Sequence, residues 1–128
     1  MTMKSQASRL AASLVIGISL AAAPAWAACT YPKGPDKIPD GNSATLDEML
    51  AAQKAVKQFD ADVGAYQTCL ETELNEGLAA APTLTEDQKK ERQKIVVQKQ
   101  NAAAEEVTAV ANRLNEQIRV YREKNKKS

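Results

Sequence analysis

The two cysteines are the residues of this chain whose chemistry depends most on the compartment in which it folds. Cys29 follows a short apolar N-terminal segment, and Cys69 lies well inside the chain. In a reducing compartment such thiols can serve as nucleophiles or metal ligands, whereas in an oxidising one they pair as a disulfide. The chain contains no histidine, which is the commonest general base and metal ligand. With both cysteines oxidised, we can name no catalytic residue, metal ligand or cofactor, and we expect no enzyme.

Residues 1–27 have the three-part pattern of an export signal. A basic start, an apolar stretch and a small-x-small motif follow one another along this segment. We expect cleavage between Ala27 and Ala28, which would release a soluble mature chain into the periplasm or outside the cell. In either compartment, Cys29 and Cys69 are expected to form a disulfide.

Cys29 has an alternative fate, which is lipidation after removal of the signal. Small residues precede it, but Trp26 stands where a lipobox has leucine or a similar residue. Lipidation would anchor the protein to the membrane and would leave Cys69 unpaired. The disulfide is therefore the favoured interpretation, and we expect membrane contact only if Cys29 is lipidated.

Charge is distributed unevenly along a mature chain that is close to neutral. Two of the 17 basic residues lie in the signal, so that 15 bases remain against 16 acids, a net charge of −1. This balance gives no support for nucleic-acid binding. Residues 29–85 carry a net charge of −5 and residues 86–128 a net charge of +4. Two halves of opposite net charge favour packing of one half against the other. The alternative is that the basic half is a separate binding arm.

Three regions follow from the distribution of turn formers and apolar residues. Residues 28–44 are rich in proline and end in the turn formers of positions 40–43, which predicts an extended strap. Residues 45–128 have heptad-type apolar spacing, typical of coiled coils, and predict helices over about 46–79 and 86–124. The predicted fold is all-α, a long antiparallel two-helix hairpin with the strap held to it by one disulfide.

Each predicted helix has one apolar stripe and a capping box. Thr45 with Glu48, and Thr85 with Gln88, have the spacing of capping boxes at the two helix starts. The first stripe consists of Met49, Ala52, Val56, Phe59, Val63, Tyr66 and Leu70, and the same spacing continues through Leu74 and Leu78. The second consists of Val96, Ala103, Val107, Val110, Leu114, Ile118 and Tyr121. We predict that the two stripes form the core and that Tyr31 of the strap packs onto the first helix.

A turn centred near Pro82 sets the expected register of the hairpin. Residue i of the first helix would then face roughly residue 164 − i of the second, as in an antiparallel helix pair. This register places acidic residues near basic ones and predicts ion pairs between the helices. The acidic residues are Glu71, Glu73 and Glu76, and the basic ones are Lys89, Lys90, Arg92 and Lys94.

Some apolar residues lie outside the two stripes and form the candidate interaction surface. They are Leu50, Leu74, Ile95, Val97 and Val120. A second hairpin or a client protein could cover them, because exposed apolar side chains often mark an interface. We therefore expect the chain to bind another copy of itself, as a homodimer, or another envelope protein.

Two resemblances bear on function. Residues 84–88 read Leu-Thr-Glu-Asp-Gln and resemble the LTxxQ signature of periplasmic stress chaperones, which implies a holdase that binds unfolded clients. That family carries the motif twice, whereas this chain has one copy, and a capping box also explains it. The pattern Cys29-x2-Pro32, Ile-Pro-Asp-Gly at 38–41 and Tyr66-x2-Cys69 resembles a group of small secreted helical proteins of proteobacteria. This second resemblance implies fold and compartment but no reaction.

Two acidic patterns in the chain are better explained by local structure. Asp36, Asp40 and Asp47 have part of the spacing of a calcium loop, but Ile38 and Ala44 occupy ligand positions, which favours a turn. Asp60 and Asp62 are two residues apart on a helix and cannot face each other as a catalytic pair. The sequence thus predicts an exported helical envelope protein that acts by protein–protein interaction, with a holdase chaperone as the alternative.

Overall fold

The structure is a computed structural model, and it describes residues 28–126. Two α-helices occur in this range, α1 over Leu46–Ala80 and α2 over Glu86–Lys126. They pack against each other as an antiparallel hairpin, and residues 28–126 contain no strand. The predicted all-α hairpin is confirmed. The expected signal, residues 1–27, lies outside the described residues, and so does Ala27 of its cleavage site.

Both helices start at the capping boxes that the sequence predicts. The Thr45 hydroxyl accepts the amide of Glu48 at 3.2 Å, and the Glu48 carboxylate accepts the amide of Thr45 at 2.7 Å. Thr85 and Gln88 make the same reciprocal pair at 3.3 and 2.9 Å. These bonds satisfy amides that no carbonyl of the helix can reach. Helix α1 is continuous through Gly64 and ends at Ala80.

The two predicted apolar stripes form the core of the hairpin. The residues of the α1 stripe from Met49 to Leu70 are all buried, whereas its continuation at Leu74 and Leu78 is half-buried. The buried members of the α2 stripe are Ala103, Val110 and Leu114. The other four members of the α2 stripe are half-buried and pack on the same core. The α1 stripe is buried more completely because it has two neighbours, α2 and the strap.

The strap, residues 28–44, lies along the hairpin beside the core residues of α1. Its backbone at Gly34 is so close to Phe59 that a Cβ there would lie 3.3 Å from the ring. Tyr31 packs edge-on against Tyr66, with ring centroids 5.1 Å apart. Ile38 also packs on the core. The strap therefore gives Phe59, which is 2 % exposed, a cover that a two-helix pair lacks.

A disulfide fixes the start of the strap to the middle of α1. Cys29 and Cys69 are bonded, with their Cα atoms 5.8 Å apart, as predicted. Among residues 28–126 no backbone–backbone hydrogen bond joins the strap to a helix. The position of the strap therefore depends on the disulfide, on side-chain contacts and on the turn at its other end.

That turn, at residues 40–43, holds the end of the strap against α2. The Asp40 carboxylate accepts the Asn42 amide at 2.9 Å, which closes the turn. The Gly41 amide donates to Gln117 Oε1 at 2.8 Å, and Lys124 donates to the Asn42 carbonyl. Because the Gly41 backbone lies directly on α2, the strap is attached to a different helix at each end.

The register of the hairpin differs from the predicted one. Residue 97 was expected opposite Gln67, but Gln67 donates to the Gln100 carbonyl at 3.1 Å, and Gln100 donates back at 3.3 Å. The connection occupies residues 81–85, so its centre lies beyond Pro82. When the centre of the turn moves along the chain, the α2 residue that faces a given α1 residue moves by twice as many positions. This shift accounts for most of the difference between the predicted and the observed register.

The predicted ion pairs between the helices are wrong. The ion pairs among the described residues all join positions three or four apart: Lys33–Asp36, Glu86–Lys89, Glu116–Arg119 and Arg119–Glu123. Glu71 instead accepts the Gln100 amide at 3.0 Å, and Glu73 accepts the Cys29 amide at 3.2 Å. Local pairs need less ordering of long side chains than pairs across the groove. The register is therefore set by apolar packing and by hydrogen bonds between the helices, and not by ion pairs between them.

Removal of the disulfide is expected to destabilise the mature protein. A Cys29→Ser, Cys69→Ser double variant should lose roughly 4 kcal/mol of unfolding free energy, because its unfolded chain is no longer closed into a loop. Urea unfolding of residues 28–128 followed by circular dichroism measures this loss. Wild-type protein treated with a reductant is the control and should unfold with the double variant. Equal midpoints for oxidised wild type and double variant would contradict the expectation.

Two glycines are expected to respond to alanine with opposite signs. A Cβ at Gly41 would lie 2.2 Å from the Gln117 carbonyl oxygen and 2.8 Å from the Tyr121 amide nitrogen, both backbone atoms of α2. Gly41→Ala should therefore lower the unfolding free energy by about 1–3 kcal/mol.

Gly64→Ala is the matched control for Gly41→Ala. Gly64 lies inside α1 with nothing within 4 Å of an added Cβ, so alanine should raise the unfolding free energy by about 0.5–1 kcal/mol. Thermal unfolding of both variants tests this. A shift of the same sign in both would show that Gly41 is not held against α2.

Candidate interaction surfaces

An open groove lies between the strap and α1. Its volume is about 680 Å³, and its lining includes strap residues from Lys33 to Ala44. Ala51, Ala52 and Ala55 of α1, together with Phe59, supply its apolar lining. Three of these side chains are single methyl groups, which are too short to fill the space between α1 and the strap. A groove therefore remains there. We call this feature the strap groove.

Charged side chains of both signs line the strap groove. Lys33 and Asp36 of the strap form an ion pair at 2.7 Å, with about four-fifths of each side chain exposed. Hydrogen bonding to Asp36 raises the pKa of Lys33. Glu48 of α1 accepts the Thr45 amide, and this bond lowers the pKa of Glu48. The strap groove thus offers apolar contact together with solvated charges, an arrangement typical of recognition surfaces.

Tyr31 connects the strap to both helices. Its ring packs on Tyr66 of α1, as predicted, and its hydroxyl donates to Glu106 of α2. The carboxylate acceptor favours the protonated phenol, and partial burial adds to the effect, so the pKa of Tyr31 rises to about 12. Sequence reasoning missed the contact with Glu106, because Tyr31 and Glu106 are far apart in the chain and share no periodic pattern.

The five residues of the candidate interaction surface do not share one face. Leu50, Ile95 and Val97 are 52 %, 43 % and 50 % exposed, whereas Leu74 and Val120 are half-buried. Leu50 and Leu74 are about 36 Å apart along α1 at 1.5 Å per residue. Ile95 and Val97 are two residues apart on α2, so their side chains point to nearly opposite sides of the helix.

The structure groups some of these residues with others. Leu74 and Ile95 line one small groove near the tip of the hairpin, which we call the tip groove. Val120 lies beside the turn at Gly41: a Cβ added at Gly41 would lie 3.0 Å from the Cβ of Val120. Leu46, which is 56 % exposed, was missed by the sequence analysis. Its spacing of four from Leu50 places both on one side of α1 and could have identified it.

The remaining sequence motifs have local structural roles. Thr85 and Gln88 of the LTxxQ match form the capping box of α2. Asp40 accepts the backbone and side-chain amides of Asn42 at 2.9 and 3.1 Å, as a turn former does. Asp62 accepts the side-chain amide of Gln58 at 2.8 Å. Residues 28–126 contain no cluster of three or more potential metal-binding side chains.

No family model, no curated protein and no solved structure matches this chain. The resemblances to LTxxQ chaperones and to small secreted proteins of proteobacteria therefore stay predictions. Neither described helix contains a stretch that is long and apolar enough to cross a membrane.

Titration of Tyr31 is expected to depend on Glu106. In the wild type Tyr31 should ionise near pH 12, and in Glu106→Gln its pKa should move toward the ordinary value of 10.0. Because the folded pKa is the higher one, this contact stabilises the fold below pH 10 and loses that effect as the pH rises toward 12. Ultraviolet absorbance of tyrosinate, compared with a Tyr31→Phe variant, measures the shift.

Glu105→Gln is the control for this titration, because Glu105 directly precedes Glu106 on α2 and its side chain is exposed. Its Tyr31 should titrate as in the wild type. The same Tyr31 pKa in both glutamine variants would contradict the hydrogen bond to Glu106.

Proposed function

We propose that this protein is an exported envelope protein that acts by protein–protein interaction, with another envelope protein or a second copy of itself as the partner. The strap groove is the observation that carries the proposal. Its apolar lining from the exposed Ala51 and Ala55 gives a partner area to bury, and its charges give orientation. The strap is held at Cys29 and at Gly41, so the groove exists before a partner arrives, which lowers the entropy cost of binding.

The disulfide supports export in this proposal. Disulfides form and persist in oxidising compartments, of which the periplasm and the cell exterior are the common bacterial examples. The Cys29 sulfur, to which a lipid would be attached, is bonded to Cys69. We therefore propose a soluble mature protein, with the lipid-anchored form at Cys29 as the alternative.

Binding is proposed over catalysis because of the environment of the ionisable groups. Within the described residues no polar or charged side chain is buried. Catalytic acids, bases and charge stabilisers are most effective in a site that excludes water. Solvated side chains such as Lys33, Lys37 and Asp62 around the strap groove are instead suited to orienting a protein partner.

A holdase chaperone is the second candidate function. The observation that favours it is the spread of exposed apolar side chains over both ends of the hairpin, with Leu46 and Leu50 at one end and Ile95 and Val97 nearer the other. Scattered apolar contacts suit unfolded clients, which present no fixed surface. The single LTxxQ match at residues 84–88 agrees with this alternative.

Site-specific photo-crosslinking in the producing cell tests the interaction proposal. A photoreactive residue at Ala55, in the strap groove, should give one discrete cross-linked species, whose mass shows whether the partner is a second copy. The same residue at Ala61 is the control, because Ala61 is exposed on α1 outside the groove and should give none. Equal products from both positions, or none from either, would contradict a partner in the strap groove.

An aggregation assay separates the holdase from the specific binder. Purified oxidised protein at near-stoichiometric amounts should leave the aggregation of a denatured client unchanged if it is a specific binder. A holdase would suppress aggregation, and a Leu46→Ser, Leu50→Ser variant would suppress it less, whereas Ala55→Ser would not differ from the wild type.

A further inference from the structure

The first residues of the strap lie against the carboxylate of Glu73. The Cys29 amide donates to Glu73 Oε1 at 3.2 Å. Cys29 is bonded to Cys69, which lies one helical turn before Glu73 on α1, so this contact is held covalently. The backbone nitrogen of Ala28 is one residue away, and one residue of chain spans at most about 3.8 Å. Ala28 N therefore lies within about 7 Å of Glu73 Oε1, and rotation of this one terminal residue would bring a free amino group into ion-pairing distance.

The surroundings of Glu73 strengthen a charge interaction there. Glu73 is half-buried and lines the tip groove beside the apolar side chains of Leu70, Leu74 and Ile95. Apolar neighbours lower the local dielectric response, so a charge pair interacts more strongly there than on a fully exposed surface. Among residues 28–126, no basic side chain forms an ion pair with Glu73.

We propose that Glu73 is the binding site for the N-terminal ammonium of Ala28 that removal of the signal creates. This inference rests on the proposed export and on cleavage between Ala27 and Ala28. Hydrolysis of that peptide bond by a signal peptidase consumes one water and leaves a carboxylate on Ala27 and an ammonium on Ala28. In the uncleaved chain the same nitrogen is a neutral amide, so the ion pair forms only in the mature protein.

The new ion pair adds an electrostatic contact at the start of the strap, next to the disulfide. After cleavage, the strap begins at Ala28 and carries a charge that the Glu73 carboxylate attracts. Removal of the signal thus adds a stabilising contact for the strap.

Other charges near Glu73 act in the opposite direction. From α2, Arg92 and Lys99 line the same tip groove, and both cations disfavour a further positive charge. Glu106 of α2, an acid that contacts the strap, is engaged with the Tyr31 hydroxyl. Glu73 contacts the Cys29 amide, next to Ala28, so we expect its attraction to exceed the repulsion from the two cations. The proposal therefore predicts that the pKa of the Ala28 amino group lies above its ordinary range of about 7.7–8.0.

The sign of the pH effect follows from that raised pKa. The ammonium is the form that Glu73 favours in the folded protein, so the contact stabilises the fold fully below the ordinary range. It is lost as the pH rises through the raised pKa of the amino group. Acetylation of the N-terminus removes the charge at every pH and should have the same effect as high pH.

A titration of the mature protein, residues 28–128 with the disulfide formed, tests the proposal. Nuclear magnetic resonance of labelled Ala28 should give an amino pKa at least about half a unit higher in the wild type than in Glu73→Gln. Glu73→Gln keeps an acceptor for the Cys29 amide, so its fold is preserved. Glu76→Gln is the matched control, because Glu76 is exposed on the same turn of α1 outside the tip groove, and it should match the wild type.

Thermal unfolding gives a second, independent readout. N-terminal acetylation should lower Tm by about 3 °C in the wild type and in Glu76→Gln, as expected for one partly exposed ion pair in a small domain. In Glu73→Gln it should change Tm by less than about 1 °C. An equal effect of acetylation in all three proteins, together with equal pKa values, would overturn the proposal.

The intact mass of the exported protein separates this inference from the proposed export. A mass that starts at Ala28, with two thiols alkylated only after reduction, together with the Glu73 effects above, supports both. That same mass without a Glu73 effect overturns the ammonium site and leaves export standing. A mass that starts at another residue, or an acylated Cys29, overturns the ammonium site because the new amino group would lie elsewhere or be blocked.

Discussion

A two-helix hairpin has one groove between its helices, and its core is covered from only one direction. Here a strap without regular secondary structure supplies the missing cover, and its cost is the conformational entropy of about 17 ordered residues. No backbone–backbone hydrogen bond to a helix offsets that cost among the described residues. The Cys29–Cys69 bond offsets it instead, because it restricts the unfolded chain and holds one end of the strap at α1.

Several features of the molecule follow from this attachment. Phe59 is buried because the strap passes over its ring, and Tyr31 can reach Glu106 because Cys29 holds the preceding backbone. The strap groove exists because the second attachment, at Gly41, lies on α2 and not on α1. A single cross-link thus connects the stability of a thin core to the shape of the proposed binding surface.

Charge has a different role from the one that the sequence suggested. The acidic and basic halves of the chain do pack against each other, but no ion pair joins α1 to α2 among the described residues. Gln67 and Glu71 of α1 make polar contacts with Gln100 of α2. Arg92 of α2 donates to the Gly77 carbonyl at 3.5 Å. The charges are left largely solvated, where they are available to the proposed partner or to the proposed N-terminus at Ala28.

The sequence by itself determined the features that depend on local or periodic patterns. The helix starts at Thr45 and Thr85, the core stripes and the pairing of two lone cysteines were all predictable, since capping and helical periodicity involve residues three or four apart. Only the tertiary structure decided the register, the strap groove and the contacts of Tyr31 and Gly41 with α2. These join residues far apart in the chain, and their geometry depends on the centre of one turn and on where a non-repetitive strap comes to lie.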